Sequence, residues 1–250
     1  MRHPLIQLVK SKSLIESLAK RYDTPLYIYD KKQLIQNIVS INNSLKNNFS
    51  KYKIFYTIKA NSNPSIIKLL KSSISNLGAD CSSPGELYAA KLGGISGNEC
   101  IYTGNYESNT DLELASRSRA HINLDDINSF YRLKKVGIPD EISFRLNPGF
   151  GNGAYESITT GGHNSKFGIP KEKISLAYSL AKENGVKSFG LQCMTGSGVL
   201  NPEYFPKLMN EILKIANSVS NELDIKFRYI SIGGGFGIPY SDNENSLNFK

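Results

Sequence analysis

From residue 53 onward the chain alternates short β-rich runs with longer helix-like stretches, and this rhythm constrains the fold more than any other feature. The predicted strands are "KIFYTIKA" (53–60), "NLGADCS" (76–82), "ECIYTG" (99–104), "AHINLD" (120–125), "EISFRLNP" (141–148), "FGLQCMT" (189–195) and "FRYISIGG" (227–234). Between them lie helix candidates such as "PSIIKLLKSS", "PGELYAAKLG" and "YFPKLMNEILKIANSVSNE". Several open at Pro, Ser or Asp and close on Gly or Asn, as helix termini prefer. Repeated βα units imply a parallel sheet, either open and doubly wound or curled into most of an eight-stranded barrel. A dinucleotide-binding sheet needs G-x-G-x-x-G directly after its first strand; here that strand runs into "KANSNP", which favours the barrel. Residues 1–34, including "TPLYIYDKK", fall outside the rhythm and are assigned to a separate layer.

Strand parity selects candidate chemistry. Alternate side chains of a strand share a face, so Phe55, Thr57 and Lys59 oppose the apolar set Ile54, Tyr56 and Ile58. If the apolar set packs under the helices, Lys59 points inward at the C-terminal end of its strand, where barrel enzymes carry catalytic groups. A lysine held in a partly desolvated mouth can attack an aldehyde as its neutral amine; the plain alternative is a strand-end lysine snorkelling into solvent. In the fifth strand Ser143, Arg145 and Asn147 share the inward face. An inward guanidinium needs an anion, either a ligand or an internal carboxylate. The triple glycine Gly233, Gly234 and Gly235 follows the seventh strand, and "TGSG" (195–198) follows the sixth. Both suit the phosphate-binding loops of barrels, with Ser197 as a hydroxyl donor, although tight turns also want glycine.

Composition narrows the remaining classes. His3, His121 and His163 are the only histidines, and Cys81, Cys100 and Cys193 form no C-x-x-C pair, so no metal site and no disulfide framework is expected. A reducing, cytoplasmic setting follows. The net charge of +8 comes from lysines dispersed along the whole chain, which reads as a solvated basic surface and not as a nucleic-acid stripe. No apolar run reaches membrane-spanning length.

The blocks "TPLYIYD", "FYTIKANSNP", "GADCSSPGELYAA", "HINLDD", "FRLNPG", "TTGGHNSKFGIP" and "ISIGGGFGIPY", in this order over nearly the whole chain, resemble the barrel-type pyridoxal-phosphate (PLP) decarboxylases of alanine racemase-like fold, most closely the diaminopimelate decarboxylases. The resemblance implies an α/β fold: a (β/α)8 TIM-type barrel over 35–250, incomplete at about seven of eight units. Residues 1–34 would join a C-terminal β domain that this chain lacks. It implies PLP as cofactor, Lys59 as the lysine that carries it, and Ser197, Gly233, Gly234 and Gly235 as the phosphate cradle. Arg145, Asn123 and Lys166 fall in matching blocks with less defined roles. The implied reaction is decarboxylation of meso-diaminopimelate to L-lysine by a protein that is a homodimer when complete. Ornithine, arginine, lysine or carboxynorspermidine are the alternative substrates of related enzymes; a single-domain PLP carrier or an inactive fragment is the alternative of another class. Two departures stand out. Met194 occupies the place where the family commonly has a ring-stacking histidine, and the E-P-G-R strand with its acidic partner for the pyridine nitrogen is missing. On that reading the 250-residue chain alone would be a poor enzyme with open sheet edges.

Overall fold

The computed structural model describes residues 11–153, 161–162, 165–241 and 243–249. Two helices lead in, α1 (Lys12–Tyr22) and α2 (Lys31–Asn48). Then come β1 (Ile54–Thr57), α3 (Pro64–Ser73), β2 (Leu77–Cys81), α4 (Pro84–Leu92), β3 (Cys100–Tyr102), α5 (Asn109–Arg117), β4 (His121–Leu124), α6 (Ile127–Val136) and β5 (Glu141–Asn147). Two short strands, β6 (Asn152–Gly153) and β7 (Ile169–Pro170), precede α7 (Ile174–Glu183) and β8 (Ser188–Cys193). The short β9 (Gly196–Ser197), the long α8 (Tyr204–Leu223) and β10 (Phe227–Ser231) close the series. Strands β1, β2, β3, β4, β5, β8 and β10 pair in that order, all in parallel. They are the seven strands expected from the sequence, curled into an arc of a TIM-type barrel with β1 and β10 at its edges.

The helices begin where local hydrogen-bond chemistry starts them. Asn63 accepts from the Ser65 N–H at 2.9 Å ahead of Pro64, whose missing donor costs nothing at a first helical position. Ser108 and Asp111 form a reciprocal capping box on α5. Asp126 caps α6 through the Ser129 N–H at 2.8 Å. Helix α2 starts on an Asp30 cap, so it runs unbroken across residue 34, and its Ile38 packs with Ile66, Leu70, Ile74 and Leu77.

The two faces of the arc differ as parity demands. Outward residues such as Ile58, Ala79, Tyr102, Leu124, Phe144 and Leu191 meet the helices in one core. Each large apolar side chain fully buried there contributes roughly 1.5–3 kcal/mol. Tyr178 of α7 sits at its centre, edge-on to Phe144, Phe189 and Phe227, with its hydroxyl donating to the Gly190 carbonyl at 2.6 Å. Inward residues are mixed. The Tyr229 ring fills the space left by Gly190, where a Cβ would lie 2.1 Å from the ring, and His121 stacks on Tyr229 at 5.2 Å. Glu141 lies 3.0 Å from His121 and also pairs with Arg228. No described helix is long and apolar enough to cross a membrane, and no described group of His, Cys, Asp and Glu is arranged to hold a metal ion.

Candidate active site

The C-terminal rim of the arc gathers most of the residues singled out above. Strand β1 ends at Thr57, two residues earlier than sequence parity implies, and Lys59 stands in a single 3-10 turn, Ile58–Ala60. Ile58 is fully buried and anchors that turn. Beyond it Asn61 accepts from the Asn63 N–H at 3.0 Å, and its carbonyl accepts from the Tyr56 hydroxyl at 3.1 Å. The "KANSNP" segment is therefore a braced corner. Lys59 itself is exposed, where a partly desolvated position was expected. Its charge acts on Asp80 of β2, which accepts from the Thr57 hydroxyl at 3.3 Å; burial pushes the Asp80 carboxyl up, and Lys59 and Arg145 pull it down.

Arg145 projects inward from β5, as expected, and is only 7% exposed. Of the two anions open to it from sequence, the structure supplies the internal one. Nη1 lies 3.4 Å from Oδ1 of Asp125, Nη2 donates to the Met194 carbonyl at 3.2 Å, and the guanidinium lies 4.7 Å over the Phe167 ring. Burial lowers the Arg145 pKa and Asp125 raises it; burial likewise raises that of Asp125 against the pull of Arg145. Asn123, one turn of the pleat deeper, is 1% exposed. Its amide is committed within the barrel, accepting from the Ser143 hydroxyl at 2.6 Å and donating to Thr103 Oγ1 at 3.2 Å. Lys166 is exposed, 5.1 Å over Phe167.

The two glycine-rich loops meet. Ser197 lies in β9, which pairs with β6. The Val199 N–H donates to the Gly235 carbonyl at 2.9 Å, and Gly237 returns one to Val199 at 2.8 Å. Gly233 and Gly235 have φ of +71° and +82°, conformations costly for other residues. A Cβ on Gly235 would lie 2.1 Å from the Gly196 carbonyl oxygen, and one on Gly233 2.6 Å from that of Cys193. Gly234 differs: a Cβ there would meet nothing within 4 Å. Its N–H donates to the Met194 Sδ at 3.2 Å, a weak acceptor that a phosphate oxygen would outmatch. The cradle fits an anion. Met194 thus joins Arg145, through its carbonyl, to the glycine loop, through its sulfur.

Three partners at this rim escaped the sequence reading: Asp80, Asp125 and Phe167. Asp125 had a usable signal, since it shares strand parity with Asn123. Phe167 had none, because its place over Arg145 depends on how the loop after β5 returns. That return is tied by Asn147, which donates to the Gly162 carbonyl at 2.9 Å and accepts from its N–H at 3.0 Å. Of the "TTGGHNSKFGIP" block, residues 159–160 and 163–164 lie outside the described residues.

A parallel β/α arc with a lysine just past one strand end and glycine-rich loops after two neighbouring strands is the architecture of a cofactor-binding barrel. The chain belongs to the pyridoxal-dependent decarboxylases: residues 35–250 match the family's pyridoxal binding domain. The cofactor of that domain is pyridoxal phosphate. The chain is 34% identical over 233 residues to a diaminopimelate decarboxylase of Thermoplasma acidophilum, covering 93% of this chain and 56% of the relative. It is 35% identical over 232 residues to that of Methanothermobacter thermautotrophicus, covering 92% and 54%. The crystal structure of diaminopimelate decarboxylase from Helicobacter pylori complexed with L-lysine superposes with a TM-score of 0.86 at 29% identity, covering 94% of this chain and 60% of that one. The chain spans about half the length of the curated relatives it matches.

Proposed function

We propose that this chain is the cofactor-binding barrel of a diaminopimelate decarboxylase, which removes one carboxylate of meso-diaminopimelate to leave L-lysine. What supports the reading is identity of about one-third to proteins of that name, in a chain whose Lys59, Ser197 and Gly234 all follow C-terminal strand ends and whose Arg145 and Gly234 both meet Met194. Of residues 1–34, the part ahead of α2 is assigned to a second domain of the complete protein, whereas α2 from Lys31 onward packs on the barrel.

Lys59 would hold the cofactor covalently through Nζ, and the Gly234 N–H with the Ser197 hydroxyl would hold its phosphate. Gly233 and Gly235 shape the loop that presents that N–H. When bound, the cofactor supplies a conjugated ring that takes up the electron pair left behind by the departing carboxylate. Arg145 keeps a fixed positive charge under the rim, aligned by Asp125, the Met194 carbonyl and the Phe167 ring. Asn123 braces the strand beneath it. Met194 presents a thioether, able to pack on an aromatic ring, where an imidazole is common in the family.

The working unit is proposed to be a cytoplasmic homodimer acting on a free amino acid, with no nucleic acid or membrane partner. The three cysteines are buried and unpaired, which fits a reducing compartment. Carbon dioxide release by the full-length protein tests the substrate, measured in parallel on meso-diaminopimelate, ornithine, arginine, lysine and carboxynorspermidine. We expect kcat/KM highest for diaminopimelate; a higher value for any of the others overturns the substrate, and release from none overturns the reaction.

A further inference from the structure

Beside the cofactor rim, sharing Asp125 with it, lies a cavity of about 420 Å³ lined by Tyr106, Glu107, Asp125, Asp126, Arg132 and Lys166. Its chemistry is unbalanced. Three carboxylates share two guanidiniums, Arg145 on Asp125 and Arg132 between Glu107 and Asp126. The Arg132 contacts are long, 3.6 Å to Glu107 and 3.8 Å to Asp126, because Nη2 instead donates to the Ser129 hydroxyl at 2.7 Å. Lys166 is exposed and directed over the Phe167 ring.

Glu107 is the decisive residue. Its side chain is 2% exposed, it lines the cavity, and neither carboxylate oxygen has a hydrogen-bond donor. A buried carboxylate without donors is among the most costly arrangements a fold can keep. Asp126 faces the same space while its oxygens already serve the Ser129 N–H and hydroxyl. Arg132 Nε is also buried without an acceptor, so one donor goes unmet beside two carboxylate oxygens; the larger unfilled demand is for N–H donors carrying positive charge. A bare divalent ion does not meet it, since no described set of carboxylates is arranged to coordinate one. A primary ammonium offers three donors and one charge in a volume the cavity holds easily.

We propose that this cavity binds the primary ammonium of a small diamine or basic amino acid, at a site separate from the one where substrate reacts. Asp125 lines the cavity and pairs with Arg145, so occupancy is coupled to the cofactor rim through a shared residue.

Full-length protein loaded with PLP and reduced with borohydride, so that an added amine cannot exchange with the lysine bond, is titrated with cadaverine by calorimetry. We expect saturable binding that Glu107→Gln weakens about tenfold or more, the scale of one charge-assisted hydrogen bond, with bound PLP unchanged. Should that variant not fold, Asp126→Asn keeps the helix cap, because Asn caps as well as Asp, and carries the expectation of about threefold weakening. Absence of saturable binding, or equal affinity in wild type and whichever variant folds, overturns the proposal. Because PLP content is read separately, that failure leaves the decarboxylase reading untouched.

Discussion

Replacing Gly234 with leucine separates cofactor binding from folding. Gly234 has no left-handed φ and an added Cβ meets no atom within 4 Å, so the fold tolerates a side chain there, with a cost or gain within about 1 kcal/mol. The same side chain would stand over the N–H that now meets only the Met194 sulfur. A hydrogen bond from a backbone donor to a charged phosphate is worth about 1.5–3 kcal/mol. Losing one, together with the steric approach, should raise the Kd for PLP on the order of 100-fold. The neighbour supplies the control. In Gly235→Ala the left-handed backbone costs about 1–2 kcal/mol, and the Cβ falls 2.1 Å from the Gly196 carbonyl, so that variant should lose thermal stability even without cofactor. Absorbance titration with PLP gives the affinities, and melting of the apo protein gives the stabilities. If Gly234→Leu binds PLP as wild type does, the triple glycine is a turn and the cradle argument fails.

Three further outcomes follow from the packing. Asp125→Asn strands the 7% exposed Arg145 guanidinium and should cost about 3 kcal/mol in urea unfolding, whereas Asp125→Leu with Arg145→Met should cost less than the sum of the two single changes. Tyr178→Phe removes a fully buried hydroxyl from the Gly190 carbonyl and should cost about 1–2 kcal/mol by the same measurement. Burial lowers the His121 pKa despite Glu141, with Arg228 and Lys53 adding to the lowering. The unfolded chain therefore binds the His121 proton more readily, so this stability is complete above the ordinary histidine value and declines as pH falls through the lowered one; His121→Gln should flatten that acid limb in melting curves taken between about pH 7 and 5.

The seven strands and their helices were legible because each βα unit carries its own signals. Pro64 behind Asn63 marks the start of α3, and Ser143, Arg145 and Asn147 fall on the opposite parity from Ile142, Phe144 and Leu146. Candidate rim residues were legible for the same reason, since parity and strand ends are local properties. What was not legible is non-local. The 3-10 turn that carries Lys59 out of β1 depends on Ile58 finding the core. The Asp125–Arg145 pair depends on the β4–β5 register, Asn123 opposite Ser143, and the place of Phe167 depends on a loop returning over its own strand. The thioether of Met194 reaching Gly234 joins residues 40 positions apart, a contact that no local pattern announces.

The central claim is that Lys59 carries the cofactor. Full-length protein incubated with PLP, reduced with borohydride, digested and mapped by mass spectrometry should show the pyridoxyl group on the peptide containing Lys59, and Lys59→Ala should abolish the labelling. Labelling of Lys53 or Lys166 instead, with Lys59 unmodified, would contradict the account.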